Sequence, residues 1–102
     1  TLFLFSYRVQ IENCSEEAVQ LLSRKWLIMD ANGFVRKVEG EGVIGEQPII
    51  EPGETHQYSS SCDLNTDMVK MWGTYLMQRV NKGDKFRVNI PEFKMMVPHR
   101  LN

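Results

Sequence analysis

Phe3, Phe5, Tyr7, Val9 and Ile11 occupy one parity of the opening segment, and Ser6, Arg8, Gln10 and Glu12 occupy the other. An unbroken period of two puts the apolar side chains on one face of a strand and the polar ones on the opposite face. Such a strand needs a second apolar surface to cover it, and the remaining sequence offers further strands. No window of helical length carries the i, i+3, i+4 spacing of an amphipathic helix. The weak candidate, Glu16 to Leu22, is contested by its own Val19-x-Leu21 alternation.

The later segments repeat the pattern between turn signals. Asn13 to Glu17 is polar and turn-like. Val19 and Leu21 then share one parity, whereas Trp26 and Ile28 share the opposite one, which predicts a bulge near Ser23 and Arg24 that redirects Arg24 and Lys25. Asp30-Ala-Asn-Gly33 is hairpin-turn chemistry, with Phe34 to Glu39 pairing back. Gly40 to Gly53, dense in glycine and proline, reads as an extended surface loop. His56 to Ser61 is the next strand, and a second long connection runs through Asp63, Asn65, Thr66 and Asp67. Met71 to Arg79 and the alternating Phe86, Val88 and Ile90 flank a hairpin at Asn81 to Asp84, Pro91 ends that strand, and Phe93, Met95 and Val97 repeat the pattern. About seven or eight short strands predict an all-β, antiparallel two-sheet sandwich of immunoglobulin-like or fibronectin type III-like kind.

Composition narrows the function classes. The 102 residues, 42% of them apolar, suit one core and one domain spanning residues 1–102. Twelve Lys and Arg against thirteen Asp and Glu give a formal net charge of -1, which supplies no global field for nucleic acid or anionic membrane. The longest apolar stretches, Thr1 to Phe5 and Trp26 to Met29, fall far short of the roughly 20 residues that cross a bilayer. Cys14 and Cys62 lack metal-site spacing and read as free thiols of a cytoplasmic protein. The opening Thr-Leu-Phe-Leu-Phe has neither an initiator Met nor a basic region before it, so residues are expected to be missing ahead of it.

Gly40-Glu-Gly42-Val-Ile-Gly45 matches the spacing of a dinucleotide-binding fingerprint, but Pro48 and Pro52 follow where that fingerprint needs a helix. Glycines needed for backbone geometry are the simpler reading, and a nest of backbone amides holding an anion, with Arg36 and Lys37 nearby, is the functional one. Glu39, Glu41 and Glu46 put negative charge beside that nest and suit a divalent cation better. His56 and His99 have no ligand partners at metal-site spacing, and Ser59 to Ser61 and Cys14 lack a nucleophile's setting. No catalytic set converges, so neither an enzyme nor a cofactor is expected. Asp67, Met68, Met71 and Trp72 flank a polar loop and are the candidate partner-binding residues, because sandwiches recognise partners through loops gathered at one end.

Several stretches taken in order resemble the ApaG family over nearly the whole chain. They are Tyr-Arg-Val-Gln-Ile-Glu-Asn from Tyr7, Val-Gln-Leu-Leu-Ser-Arg-Lys-Trp from Val19, Asp-Ala-Asn-Gly from Asp30, and Val-Glu-Gly-Glu-Gly-Val-Ile-Gly-Glu-Gln-Pro from Val38. Glu-Pro-Gly-Glu from Glu51, Met-Trp-Gly-Thr-Tyr from Met71 and the ending Ile-Pro-Glu-Phe-Lys-Met-Met-Val-Pro with Leu101-Asn102 complete them. Asp67 and Val69 stand where family members often have Pro and Gly. The resemblance implies an immunoglobulin-like or fibronectin type III-like sandwich, a binding or regulatory role without catalysis, and in bacteria a link to cobalt resistance and magnesium efflux. It also implies a further N-terminal strand, a free-standing bacterial protein, and a glycine string considered as a pyrophosphate site. The expected partner is a protein, engaged through the glycine loop and the loop from Asp63 to Trp72, with an anion or divalent cation at the glycine loop as the alternative. Nucleic acid and membrane are not expected, and the oligomeric state is open.

Overall fold

The computed structural model describes residues 2–97. His99 and the closing residues 98–102 lie outside them. The described chain forms seven strands and no helix: β1 (Phe3–Glu12), β2 (Val19–Asp30), β3 (Val35–Glu41), β4 (Ile49–Ile50), β5 (Thr55–Leu64), β6 (Met68–Arg79) and β7 (Lys85–Met96). Every pairing is antiparallel. One sheet holds β1 and β5; the other runs β3-β2-β6-β7, with β4 also paired to β2. This order is that of the C′-C-F-G sheet of an immunoglobulin-like sandwich, with β1 and β5 in the places of strands B and E.

Three connections follow from local chemistry. At the β2–β3 turn, Asp30 caps the chain reversal: its carboxylate accepts from the backbone N–H of Asn32 (2.8 Å) and Phe34 (3.1 Å). At the β6–β7 hairpin the Arg79 N–H donates to the Asp84 carbonyl (3.0 Å), and Glu17 of the β1–β2 connection accepts from Lys82 Nζ (3.1 Å). The third is centred on Asn13, the one buried polar side chain among the described residues. Its Nδ2 donates to the carbonyls of Glu17 and Ile50 at 2.8 Å each, and its Oδ1 accepts from Ser15 N (3.0 Å) and Oγ (2.6 Å). Asn13 therefore ties the β1–β2 turn to β4. Asn13→Ala removes these four bonds and is expected to cost about 2 kcal/mol. Urea unfolding checks this; a midpoint equal to wild type would show the network to be idle.

The core fills the space between the sheets. Trp26, 2% exposed, lies edge-on to Tyr75 of its own sheet (6.3 Å), to Tyr7 of the other sheet (5.8 Å) and to Phe93 (5.9 Å). Such edge-to-face contacts add to the area that these rings bury. Tyr58 of β5 and Tyr75 of β6 face each other across the sandwich with their hydroxyls hydrogen-bonded. Burial raises the pKa of both, and at Tyr75 the bond to Tyr58 adds to it. The unfolded chain gives up these protons near the usual tyrosine pKa of about 10 while the folded chain retains them, so stability falls as pH rises past that value. The Tyr58→Phe/Tyr75→Phe double variant should show a shallower alkaline loss in melting temperature, and an identical slope would contradict this origin.

The structure corrects three sequence expectations. Residues 40–53 are not one surface loop: β3 runs on to Glu41, β4 lies inside the stretch, and Val43 (1% exposed) and Ile50 (2%) are core residues. Pro91 does not end a strand; β7 continues through it with a register shift opposite Met71 and Gly73. An edge strand with a bulge tolerates a residue that cannot donate to the ladder. The connection after β5 is short, since only residues 65–67 separate β5 from β6.

Candidate functional site

The glycine string is built around the bulge in β2. Leu21 pairs with Met77 and Ser23 with Leu76, which leaves Leu22 as the extra residue. On the other edge of β2, β3 pairs with residues from Ser23 onward and β4 with Val19 and Gln20, so the glycine loop spans the bulge between them. The Leu22 carbonyl accepts from Gly42 N (2.8 Å) and Gln47 Nε2 (2.9 Å), and Leu21 N donates to the Pro48 carbonyl (3.0 Å). Val43 and Glu46 exchange backbone bonds of 2.8 and 3.0 Å around Ile44 and Gly45. Both of those central residues have positive φ, 50° and 72°, as a type I′ turn requires. The loop reverses the chain and drives Val43 into the core.

Much of the loop's donor capacity is engaged within that geometry. The N–H groups of Gly42, Val43 and Glu46 already bond within the loop or to Leu22. The guanidinium of Arg24 covers Gly40, where a Cβ would lie 2.8 Å from it. Arg24 Nη1 donates to the carbonyls of Glu41 (3.1 Å) and Gly42 (2.9 Å). Arg36 and Lys37 do not join the loop. They pair with Ile28 and Leu27 far along β3, and at about 3.4 Å per strand residue Arg36 is roughly 20 Å from Gly42. Being adjacent in a strand, the two also point to opposite faces. Arg36 lines a hollow of about 320 Å³ with Phe34 and Asp63, whereas the glycine loop borders one of about 240 Å³ with His56, Tyr58 and Ser59.

Among the described residues no three His, Cys, Asp or Glu side chains are placed to hold a metal ion. Both thiols are free. The hydrogen bond to Glu12 holds the Cys14 pKa above its ordinary value, and burial does the same for Cys62. Neither is an activated nucleophile, which needs a lowered pKa.

The partner-binding candidates separate as well. Met71 is fully buried (0% exposed) and cannot touch a partner. Asp67 and Met68 are exposed, and Trp72 is half-buried on the other face of β6. That face is the outer surface of the larger sheet. Directly paired residues share a face, so the registers lay out its rows: Met29 with Val35, Lys70 and, beyond Lys70, Lys94; Leu27 with Lys37 and Trp72; Lys25 with Glu39 and Thr74; Ser23 with Glu41 and Leu76, then Arg87. Its middle is an apolar strip of half-buried Leu27, Met29, Trp72 and Leu76, continued by Val35 (53% exposed). Toward the bulge it opens into a groove of about 650 Å³ lined by Lys25, Glu39, Glu41, Thr74 and Arg87. Sequence reading singled out only Trp72 of this strip. The outward parity of β2 after its bulge, Lys25-x-Leu27-x-Met29, was the signal for the rest.

Comparisons with known proteins agree with this architecture. Protein ApaG of Brucella anthropi is 50% identical over 98 residues, which are 96% of this chain and 75% of that protein. Protein ApaG of Brucella canis is 48% identical over the same coverage. Among solved structures, a structural-genomics target superimposes with a TM-score of 0.93 at 41% identity, covering 98% of this chain and 75% of that one. A Bordetella pertussis protein described as ApaA gives 0.91 at 40% identity, covering 97% of this chain and 80% of that one. The ApaG domain family model matches residues 1–79. On that match and on half-identical relatives aligned over almost all of its length, the chain belongs to the ApaG domain family.

Proposed function

We propose that this chain is a non-enzymatic binding domain of the cytoplasm whose partner is a protein, engaged through the outer face of the larger sheet. The observation that carries the reading is the directly paired Leu27 and Trp72, which stay half-exposed on a face that no other element covers among the described residues. Large side chains on an uncovered sheet face are the anchor type that dominates protein interfaces. A regulatory partner of this kind is also compatible with the link to cobalt resistance and magnesium efflux that the family resemblance implies. A photo-crosslinking residue in place of Thr74, which lies between Trp72 and Leu76 on that face, should capture a partner in cells. The same residue in place of Ser61, on the smaller sheet, should not. No adduct at Thr74, or equal adducts at both positions, would contradict the reading.

The alternative, a sensor of a phosphate compound or divalent cation at the glycine loop, has less support, because three of the loop's amides are already bonded and Arg36 and Lys37 lie elsewhere. Calorimetry with nucleoside polyphosphates and with Mg²⁺ or Co²⁺ is expected to give no heat at millimolar ligand. Saturable heat lost on altering the loop would restore it.

A further inference from the structure

We infer that the outer face of the larger sheet takes an acidic, extended protein segment carrying a bulky apolar residue. This rests on the protein-binding reading above and names the chemistry of the partner.

The rows described above place Lys25, Lys37, Lys70, Arg87 and Lys94 around the strip of Leu27, Met29 and Trp72. Three carboxylates share the face, and two of them are committed: Glu39 to Lys37 (3.6 Å) and Glu92 to Lys70 (3.7 Å). Lys25, Arg87 and Lys94 form no ion pair among the described residues, which leaves Glu41 as the remaining local counter-charge. The face is therefore basic although the chain as a whole carries -1. An excess of positive charge around an apolar centre attracts negative charge and fixes the register of what binds. An extended segment alternates its side chains, so it can set an apolar residue against Trp72 while its carboxylates reach the lysines on either side.

Two other occupants fit less well. A single-stranded nucleic acid needs successive aromatic side chains for its bases to stack on, and Trp72 is the one aromatic residue of the strip. A second copy of this chain meeting through a two-fold axis would set one basic face against another.

The test is selection of random displayed peptides against the full chain, followed by binding of the best one to variants. The expected peptides carry several Asp or Glu around one large apolar residue. Their affinity should fall steeply with added salt. It should also drop about tenfold or more in Trp72→Ala and in the Lys37→Glu/Lys94→Glu double variant, with melting temperatures held close to wild type. Neutral or basic peptides, or equal binding by the charge-reversed variant, would overturn the inference. So would tighter binding of a single-stranded oligonucleotide, or concentration-dependent self-association that excludes the peptide. If selected peptides bind but map to another surface, this inference fails and the protein-binding reading survives. If neither the selection nor the Thr74 crosslinker finds a partner, both fail.

Discussion

Gly42→Ala is expected to lower stability by roughly 3 kcal/mol, a fall of at least about 12 °C in melting temperature for a domain of this size. Gly42 has φ of +59°, and a Cβ there would lie 1.9 Å from the Glu46 carbonyl oxygen, a backbone atom that cannot swing aside. The left-handed conformation alone costs a residue with a side chain about 1–2 kcal/mol. Relieving the clash also breaks the Gly42 to Leu22 bond and the Val43–Glu46 pair, and loosens the buried Val43. Gly45→Ala separates the two causes. Gly45 has φ of +72° but nothing within 4 Å of its missing Cβ, so it should lose only about 1 kcal/mol. Equal, negligible losses in both variants would show that the string is not there for backbone geometry.

Gly73→Ala is expected to be at least as damaging, by about 3 kcal/mol or more, and is the variant most prone to fail to fold. Gly73 lies in β6, between β2 and β7, and faces Trp26 across the ladder. A Cβ there would come within 2.0 Å of the Lys25 carbonyl oxygen and 3.2 Å of the Trp26 Cα. Both belong to the neighbouring backbone, so the central strand pair must separate and the Trp26 cluster must repack. Guanidinium unfolding of the purified variant, or its recovery in the insoluble fraction, reads this directly. A midpoint near wild type would mean that β2 and β6 are not packed as closely as described.

Strand alternation made most of the fold legible. The single-parity run from Phe3 to Ile11 is β1, and the parity switch in β2 gave a bulge within a residue or two of Leu22. Turn chemistry located both hairpins. The failures came where composition was allowed to overrule pattern. Glycine and proline density makes residues 40–53 read as a loop, although Val43 and Ile50 are apolar residues that the core takes up. Pro91 looked like a terminator because its position on an edge strand, where its missing N–H faces no partner, is a property of the assembled sheet.

The candidate site was harder to read for a similar reason. Met71 and Trp72 are adjacent beyond the β5–β6 connection, but neighbouring residues in a strand cannot share a face, and Tyr75 and Met77 put the odd positions inside. Arg36 and Lys37 are close to the glycine string in sequence, whereas a strand carries them away from it. Arg24 is the reverse case. It is remote from Gly40 in sequence yet covers it, because β2 and β3 pair Arg24 with Gly40. The lysines of the outer face come from four strands, so only the registers between strands assemble them into one surface. Gly73 was legible in principle, since a glycine inside a strand pattern signals close backbone approach.

In this protein the glycine string maintains the fold, and the proposed role of the outer sheet face is to meet the partner. Crosslinking yield at Thr74 in a chain that also carries Trp72→Ala, read beside its melting temperature, tests it most directly. The melting temperature is expected within a few degrees of wild type, because Trp72 is half-exposed and lies outside the core, together with loss of the adduct. An undiminished adduct, or a partner captured from Ile44 of the glycine loop and not from Thr74, would contradict it.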